Sequence, residues 1–135
     1  MNNKIMWKSI IRWTLLIPTS VLSGIITNIL ISFMLKIGWG VHGEPYFLKE
    51  FTTEIFSHCA FTIGFIYGGV WIAPKHKEKT LLVLVLFIIL LSISIIIFSL
   101  IYTTTKFFSI IIASNVSAII TAILIFNSRI IEDLK

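Results

Sequence analysis

Residues whose side chains could do chemistry follow one another at four-residue spacing: Glu50, Glu54, His58 and Thr62. Four residues advance an α-helix by about 40° beyond one full turn, so these side chains would form one slowly winding polar stripe. The stripe runs from a charged segment into an apolar one. It would place a carboxylate and an imidazole together at the margin of a membrane, where an ionisable group is a candidate for function.

Three interpretations of the stripe are open. His58 could lie at headgroup depth, where water reaches it and Glu54 accepts its hydrogen bond. The stripe could instead relay protons or bind a ligand, with His42 and Glu44 folding over it from the preceding segment. A divalent transition metal is the third interpretation, but no His-Glu-x-x-His spacing is present. We favour the first interpretation, keep these residues as a candidate ligand or proton site, and expect no metal and no cofactor.

Two amides lie deep in otherwise apolar runs, Asn28 and Asn115. Amides in hydrocarbon need hydrogen-bond partners, so we expect both to face the interior of a helix bundle and to bond across helices. They would then be structural, or they would extend a polar pathway inward from the stripe.

Small residues also recur at four-residue spacing, at Ala60, Gly64 and Gly68. Such a smooth face allows another helix to approach closely. We expect it to pack on the first or fourth span of the same chain, with a homodimer or partner contact as the alternative.

The composition requires elements that face lipid. The chain has 135 residues, of which 57% are hydrophobic and only 13% are charged, against roughly 25% charged residues in an average soluble domain. Its uncharged runs reach the roughly 20 apolar residues that a helix needs to cross a bilayer, and they lack the alternation of a strand. We predict one all-α membrane domain, an antiparallel bundle with four transmembrane helices over approximately 13–35, 53–73, 80–102 and 107–128.

Charge sets the expected orientation. Eight Lys or Arg residues flank the spans on the side of the two termini and the 74–79 turn, against three (Lys36, Lys49 and Lys106) on the other side. The positive-inside rule places the richer side in the cytoplasm, with both termini. We therefore expect a multi-pass protein of a bacterial plasma (inner) membrane.

The two longest connections differ in character. The turn at 74–79 is a cytoplasmic basic turn, with Lys75, Lys77 and Lys79 suited to anionic headgroups. The outer loop at 36–52 begins with glycines, and its part from Tyr46 onward should be an interfacial helical start to span two. Span three, the most apolar of the four, should face lipid most.

No motif fixes a reaction, and we expect no enzyme. The single cysteine, Cys59, excludes an intramolecular disulfide. Basic residues punctuate the apolar runs instead of forming a patch, so no nucleic-acid partner is expected. The expected partners are the lipid bilayer and a second copy or another membrane protein.

The leading hypothesis is a non-enzymatic membrane subunit or accessory protein that acts through helix–helix contacts. The alternative is a small oligomeric transporter or channel that uses the Glu54/His58 stripe. A holin-like pore former is the third hypothesis.

Overall fold

The protein consists of four α-helices. A computed structural model describes residues 3–39, 46–73, 77–102 and 105–128. In chain order the helices are α1 (Asn3–Trp39), α2 (Tyr46–Ile72), α3 (Lys77–Tyr102) and α4 (Thr105–Asn127). Each contains a segment long and apolar enough to cross a membrane, so the prediction of an all-helical chain with four such helices is confirmed.

The helix bounds follow simple sequence signals. α2 ends at Ile72, two residues before Pro74, because a helix rarely extends through the residue before a proline. Its start at Tyr46 lies where an interfacial beginning of span two was expected. α1 is longer than the predicted span 13–35, since it includes the basic leader, and it continues through Pro18.

Consecutive helices run antiparallel. Along the contact between α1 and α2, Ser57 meets Ser32, whereas the later Gly68 lies against the earlier Ser23. By contrast, α2 and α4 run parallel, since Ser117 approaches Ile55 and Thr121 approaches Cys59. α2 contacts all three other helices and is the centre of the bundle.

The seam between α1 and α2 is built from small residues. A Cβ added to Gly64 would lie 2.7 Å from the backbone oxygen of Ser23, and one added to Gly68 would lie 2.5 Å from Ser23 Cβ. On the other side of the seam, a Cβ on Gly24 would lie 2.8 Å from the ring of Phe61. The two backbones are therefore as close as glycine permits, and Gly64 and Gly68 pack on the first helix of the same chain.

The two halves of the bundle differ in content. We call the half that holds Ala73 and Lys77 the Ala73 half, and the half that holds Tyr46 and Tyr102 the Tyr46 half. The apolar core lies in the Ala73 half and comprises Leu16, Phe65, Ile66, Val70, Ala73, Leu81, Leu84, Val85, Ile88 and Ala122.

Exposure differs between the helices in an unexpected way. In the most apolar window of each helix, 17% of the residues of α1 are buried, 28% of those of α3 and of α4, and 44% of those of α2. The expectation that span three faces lipid most is therefore wrong. α1 is the most exposed, because it packs mainly on α2 at the edge of the bundle.

Candidate functional site

The predicted stripe lies along one side of α2. His58 Nδ1 is 2.9 Å from the backbone oxygen of Glu54 and 3.7 Å from Glu54 Oε2. The buried Thr62 donates from its hydroxyl to the His58 carbonyl oxygen, 2.9 Å away. Glu50, Glu54 and His58 border the same cavity, so the structure brings the ionisable members of the stripe together.

The short contact of His58 decides where its proton lies. A carbonyl oxygen can only accept a hydrogen bond, so Nδ1 must carry the hydrogen that it donates to Glu54. In a neutral imidazole with a protonated Nδ1, Nε2 is a free acceptor. A neutral His58 ring would therefore offer one acceptor beyond its bond to the helix.

A cleft leads from the Tyr46 half toward the middle of the bundle. We divide it into a rim recess of about 520 Å³, a mouth cavity of about 420 Å³ and an inner cavity of about 250 Å³. The rim recess and the mouth cavity share Glu50 and Glu54, and the mouth and inner cavities share His58, Ile95 and Asn115. The sequence pattern of one helix indicated the stripe, but the cleft exists only because α3 and α4 stand beside it.

The walls of the cleft come from all four helices. The rim recess is lined by Lys36, Tyr46, Lys49, Glu50, Thr53 and Glu54. The mouth cavity is lined by Glu50, Glu54, His58, Ile95, Ile110, Ile111, Ser114 and Asn115. The inner cavity is lined by Asn28, His58, Phe61, Thr62, Ile88, Leu91, Ser92, Ile95, Asn115 and Ala118.

Asn28 bonds across helices, as expected. Its Nδ2 donates to the Ser57 backbone oxygen at 3.2 Å, and its Oδ1 accepts from the Ser32 hydroxyl at 3.3 Å. Ser32 also lies 2.6 Å from Ser57 Oγ. Both ends of the Asn28 amide are therefore engaged, and this side chain joins α1 to α2 beside the inner cavity.

Asn115 departs from the expectation. It is buried in the bundle interior, but its Nδ2 donates to Ile111 O on its own helix, 2.8 Å away, instead of bonding across helices. Asn115 lines both the mouth cavity and the inner cavity, so open space borders its side chain. The Asn115 amide oxygen makes no hydrogen bond to the described residues.

Ser92 was not predicted as a site residue. The side chain is buried on α3 and borders the inner cavity, and its hydroxyl has no hydrogen-bond partner in the described part of the chain. Ser94, two residues later on the same helix, differs from Ser92, because its hydroxyl donates to the Leu90 backbone oxygen at 2.8 Å. A serine in an apolar run carries no sequence signal that separates these two cases.

The remaining predicted residues fall in two groups. Lys77 and Lys79 of the basic turn lie in the first turn of α3, away from the cleft. His42, Glu44 and Lys75 lie outside the described residues. Among the described residues, no three His, Cys, Asp or Glu side chains converge to form a metal site.

Cys59 belongs to the contact between α2 and α4. Its sulfur lies 3.3 Å from Thr121 Oγ1 and 3.9 Å from the Ser117 backbone oxygen. The thiol is thus part of the polar packing behind the cleft and not one of the residues that line it.

Comparison of the chain with protein-family models, with curated proteins and with solved structures gave no match. The functional argument therefore depends on the geometry of the cleft.

Proposed function

We propose that the chain is a multi-pass membrane protein that binds a small polar solute in the cleft and carries it across the membrane. The observation that supports this proposal is the continuity of the cleft, which brings Glu50, Glu54 and His58 into one series of cavities with Asn28 and Asn115. Isolated polar residues inside a membrane are explained by helix packing, but an open space lined by several of them suits a solute.

The inner cavity lies directly against the apolar core of the Ala73 half, since Ile88 belongs to both. Below the inner cavity, the apolar core of the Ala73 half fills the bundle with buried side chains such as Phe65, Ile66 and Leu84. A solute that reaches Asn115 would have to await a rearrangement of these helices before it could continue. This arrangement favours a transporter with alternating access over a permanently open channel.

The proposed orientation places the Ala73 half at the cytoplasmic face of a bacterial plasma membrane. The eight basic residues that flank the spans on that side support it. The cleft would then open to the outside, and the basic residues of the first turn of α3 would lie among anionic headgroups.

Solute flux in proteoliposomes tests the proposal. Protein reconstituted in phosphatidylethanolamine and phosphatidylglycerol would be assayed with labelled rubidium, methylammonium, choline, acetate and glycerol. We expect at least one probe to cross faster than in empty liposomes and the rate to fall about tenfold in His58→Ala, the loss that corresponds to about one hydrogen bond.

The control is Thr52→Ala, because Thr52 lies on the same helix, bonds only to the Leu48 backbone oxygen and does not line the cleft. Its flux should equal that of the unchanged chain. Flux that survives His58→Ala, or no flux of any probe, would contradict the proposal.

A second function, the accessory membrane subunit, is supported by the position of α1. This helix packs mainly on α2, and exposed apolar side chains such as Leu22, Ile29 and Phe33 cover its outer surface. A helix of another protein could cover them. Site-directed crosslinking from these positions in cells should then trap a second chain, and contact with lipid alone would leave only the transporter proposal.

A further inference from the structure

We propose that the inner cavity binds a small primary ammonium ion, with its N–H groups donating to Asn115 Oδ1, Ser92 Oγ and His58 Nε2. This inference rests on the proposed function, since it names the class of solute that the cleft accepts. The carboxylates of Glu50 and Glu54 stand at the mouth, on the path that such a cation would take.

The inner cavity offers acceptors that the fold leaves unused. Asn115 and Ser92 are each 3% exposed, yet neither Asn115 Oδ1 nor Ser92 Oγ bonds to a described residue. No fully enclosed side-chain oxygen or nitrogen in the described ranges lacks a partner. Both oxygens must therefore open onto the cavity that they line, where a ligand can reach them.

The orientation of the Asn115 amide follows from chemistry. The Ile111 carbonyl oxygen accepts only, so the nitrogen of the amide must face it and the oxygen must point the other way. The tautomer of a neutral His58 follows from the same argument, because Nδ1 donates to the Glu54 carbonyl and Nε2 is then the acceptor. With Ser92, three residues that carry such acceptors line the inner cavity.

A primary ammonium group matches this set because it carries three N–H donors and no acceptor. The rest of the wall is apolar, with Phe61, Leu91 and Ala118 beside the polar atoms. An alkyl chain fits such a wall, and an aromatic ring attracts a cation. An alkali ion should bind more weakly, since it prefers a shell of oxygens and gains nothing from apolar walls.

The charge of the cleft excludes anions as the favoured solute. No Lys or Arg among the described residues lines the mouth or inner cavity, whereas Glu50 and Glu54 border the mouth. The lysines of the site, Lys36 and Lys49, are confined to the rim recess. Beyond this recess, the polar groups that the described residues offer a cation belong to carboxylates, an imidazole, amides and hydroxyls.

Binding of labelled methylammonium to the full chain in nanodiscs tests the inference. We expect saturable binding that ethylammonium displaces and that tetramethylammonium, which has the same charge but no N–H group, does not. Asn115→Leu and Ser92→Ala should each weaken binding about tenfold, the loss typical of one hydrogen bond to a charged group.

Ser94→Ala is the matched control, because Ser94 lies on the same helix and its hydroxyl is occupied by Leu90. Circular dichroism and gel filtration would show that each variant is folded, and Ser92→Ala changes too little volume to disturb packing. Equal displacement by tetramethylammonium or by sodium, or unchanged binding in Ser92→Ala, would overturn the inference.

The two proposals fail in different ways. If acetate or glycerol crosses the membrane in a His58-dependent manner and methylammonium does not bind, the chain is a transporter and the ammonium assignment is wrong. If methylammonium binds as expected and no probe crosses, the ligand class stands and the transport proposal fails.

Discussion

The Tyr46 half and the Ala73 half of the bundle are built from the same four helices, but one contains a cleft with polar walls and the other a close-packed apolar core. In the Ala73 half, buried side chains of every helix meet in one apolar core, and Phe65 stacks on Phe87 with ring centroids 5.8 Å apart. In the Tyr46 half, α3 and α4 leave a cleft beside α2, and the buried residues that border it include Ser92, Ser114 and Asn115.

The difference shows that one turn of a helix can line a cavity while the next turn packs closely in a core. On α2, Phe61 lines the inner cavity and Phe65, one turn later, belongs to the core. The stability of the bundle therefore depends chiefly on the Ala73 half. The Tyr46 half is free to hold polar groups that contribute little to folding.

The largest change in the free energy of unfolding is expected when a large side chain is removed from the apolar core. Phe65→Ala removes a ring that is 2% exposed and should lower the free energy of unfolding by about 3 kcal/mol or more. Phe56→Ala, on the same helix at 53% exposure, should change it by less than about 0.5 kcal/mol. Equilibrium unfolding in mixed micelles, followed by circular dichroism, compares them, and equal losses would refute the division of the bundle.

A smaller effect is expected at the seam between α1 and α2. Gly64→Ala places a methyl group 2.7 Å from the Ser23 backbone oxygen, so the helices must separate, at a cost of about 2 kcal/mol. Gly38→Ala is the control, because a Cβ at Gly38 meets nothing within 4 Å. It should be neutral or stabilising by up to about 1 kcal/mol, given the higher helix propensity of alanine. The same unfolding assay decides, and a neutral Gly64→Ala would mean that the seam is looser than described.

Two alanines one turn apart on α4 mark the border between the halves. Ala122 is enclosed in the core and Ala118 borders the inner cavity. Ala122→Val should destabilise by about 1 kcal/mol through overpacking, whereas Ala118→Val has space for its added methyl groups and should not. Ala118→Val should instead weaken methylammonium binding. Equal destabilisation by the two substitutions would place the floor of the cleft closer to the Tyr46 end.

The smallest effect concerns the polar bonds of the Tyr46 half. Asn28→Leu removes the bonds to Ser57 and Ser32 and should cost about 0.6 kcal/mol, the typical value for hydrogen bonds between membrane helices. Thr14→Val, which removes a hydroxyl bonded only to its own helix at Ile10, should cost less. A loss above about 2 kcal/mol for Asn28→Leu would show that the Tyr46 half also determines stability.

Much of the fold can be predicted from sequence because hydrophobic length is a local property. Four long apolar runs indicate four helices, and Pro74 indicates where α2 ends. The helix that packs against Gly64 could not be chosen from the sequence, since both the first and the fourth runs carry small polar residues at suitable spacing. The greater exposure of α1 could not be predicted either, because the hydrophobicity of a helix does not show whether it lies at the edge of a bundle.

The candidate site was only partly predictable. The spacing of Glu50, Glu54 and His58 placed them on one helix face, and two amides in apolar runs indicated buried polar groups. The cleft itself arises from the distance between helices, which the spacing of residues in the sequence does not predict. Ser92 and the free oxygen of Asn115 could be found only from that space.

In a bilayer, the length of α1 would have a consequence for the surrounding lipid. Its membrane-compatible segment, Ile10–Gly38, has 29 residues and would measure about 43 Å, while a hydrocarbon core is about 30 Å thick. Such hydrophobic mismatch is relieved by tilt, by local thickening of the bilayer or by extension into the headgroups. Because α1 is held mainly by α2, its tilt would follow bilayer thickness more freely than that of the other helices. Asn28 lies on α1 at the inner cavity, so bilayer thickness and the width of the cleft would be coupled.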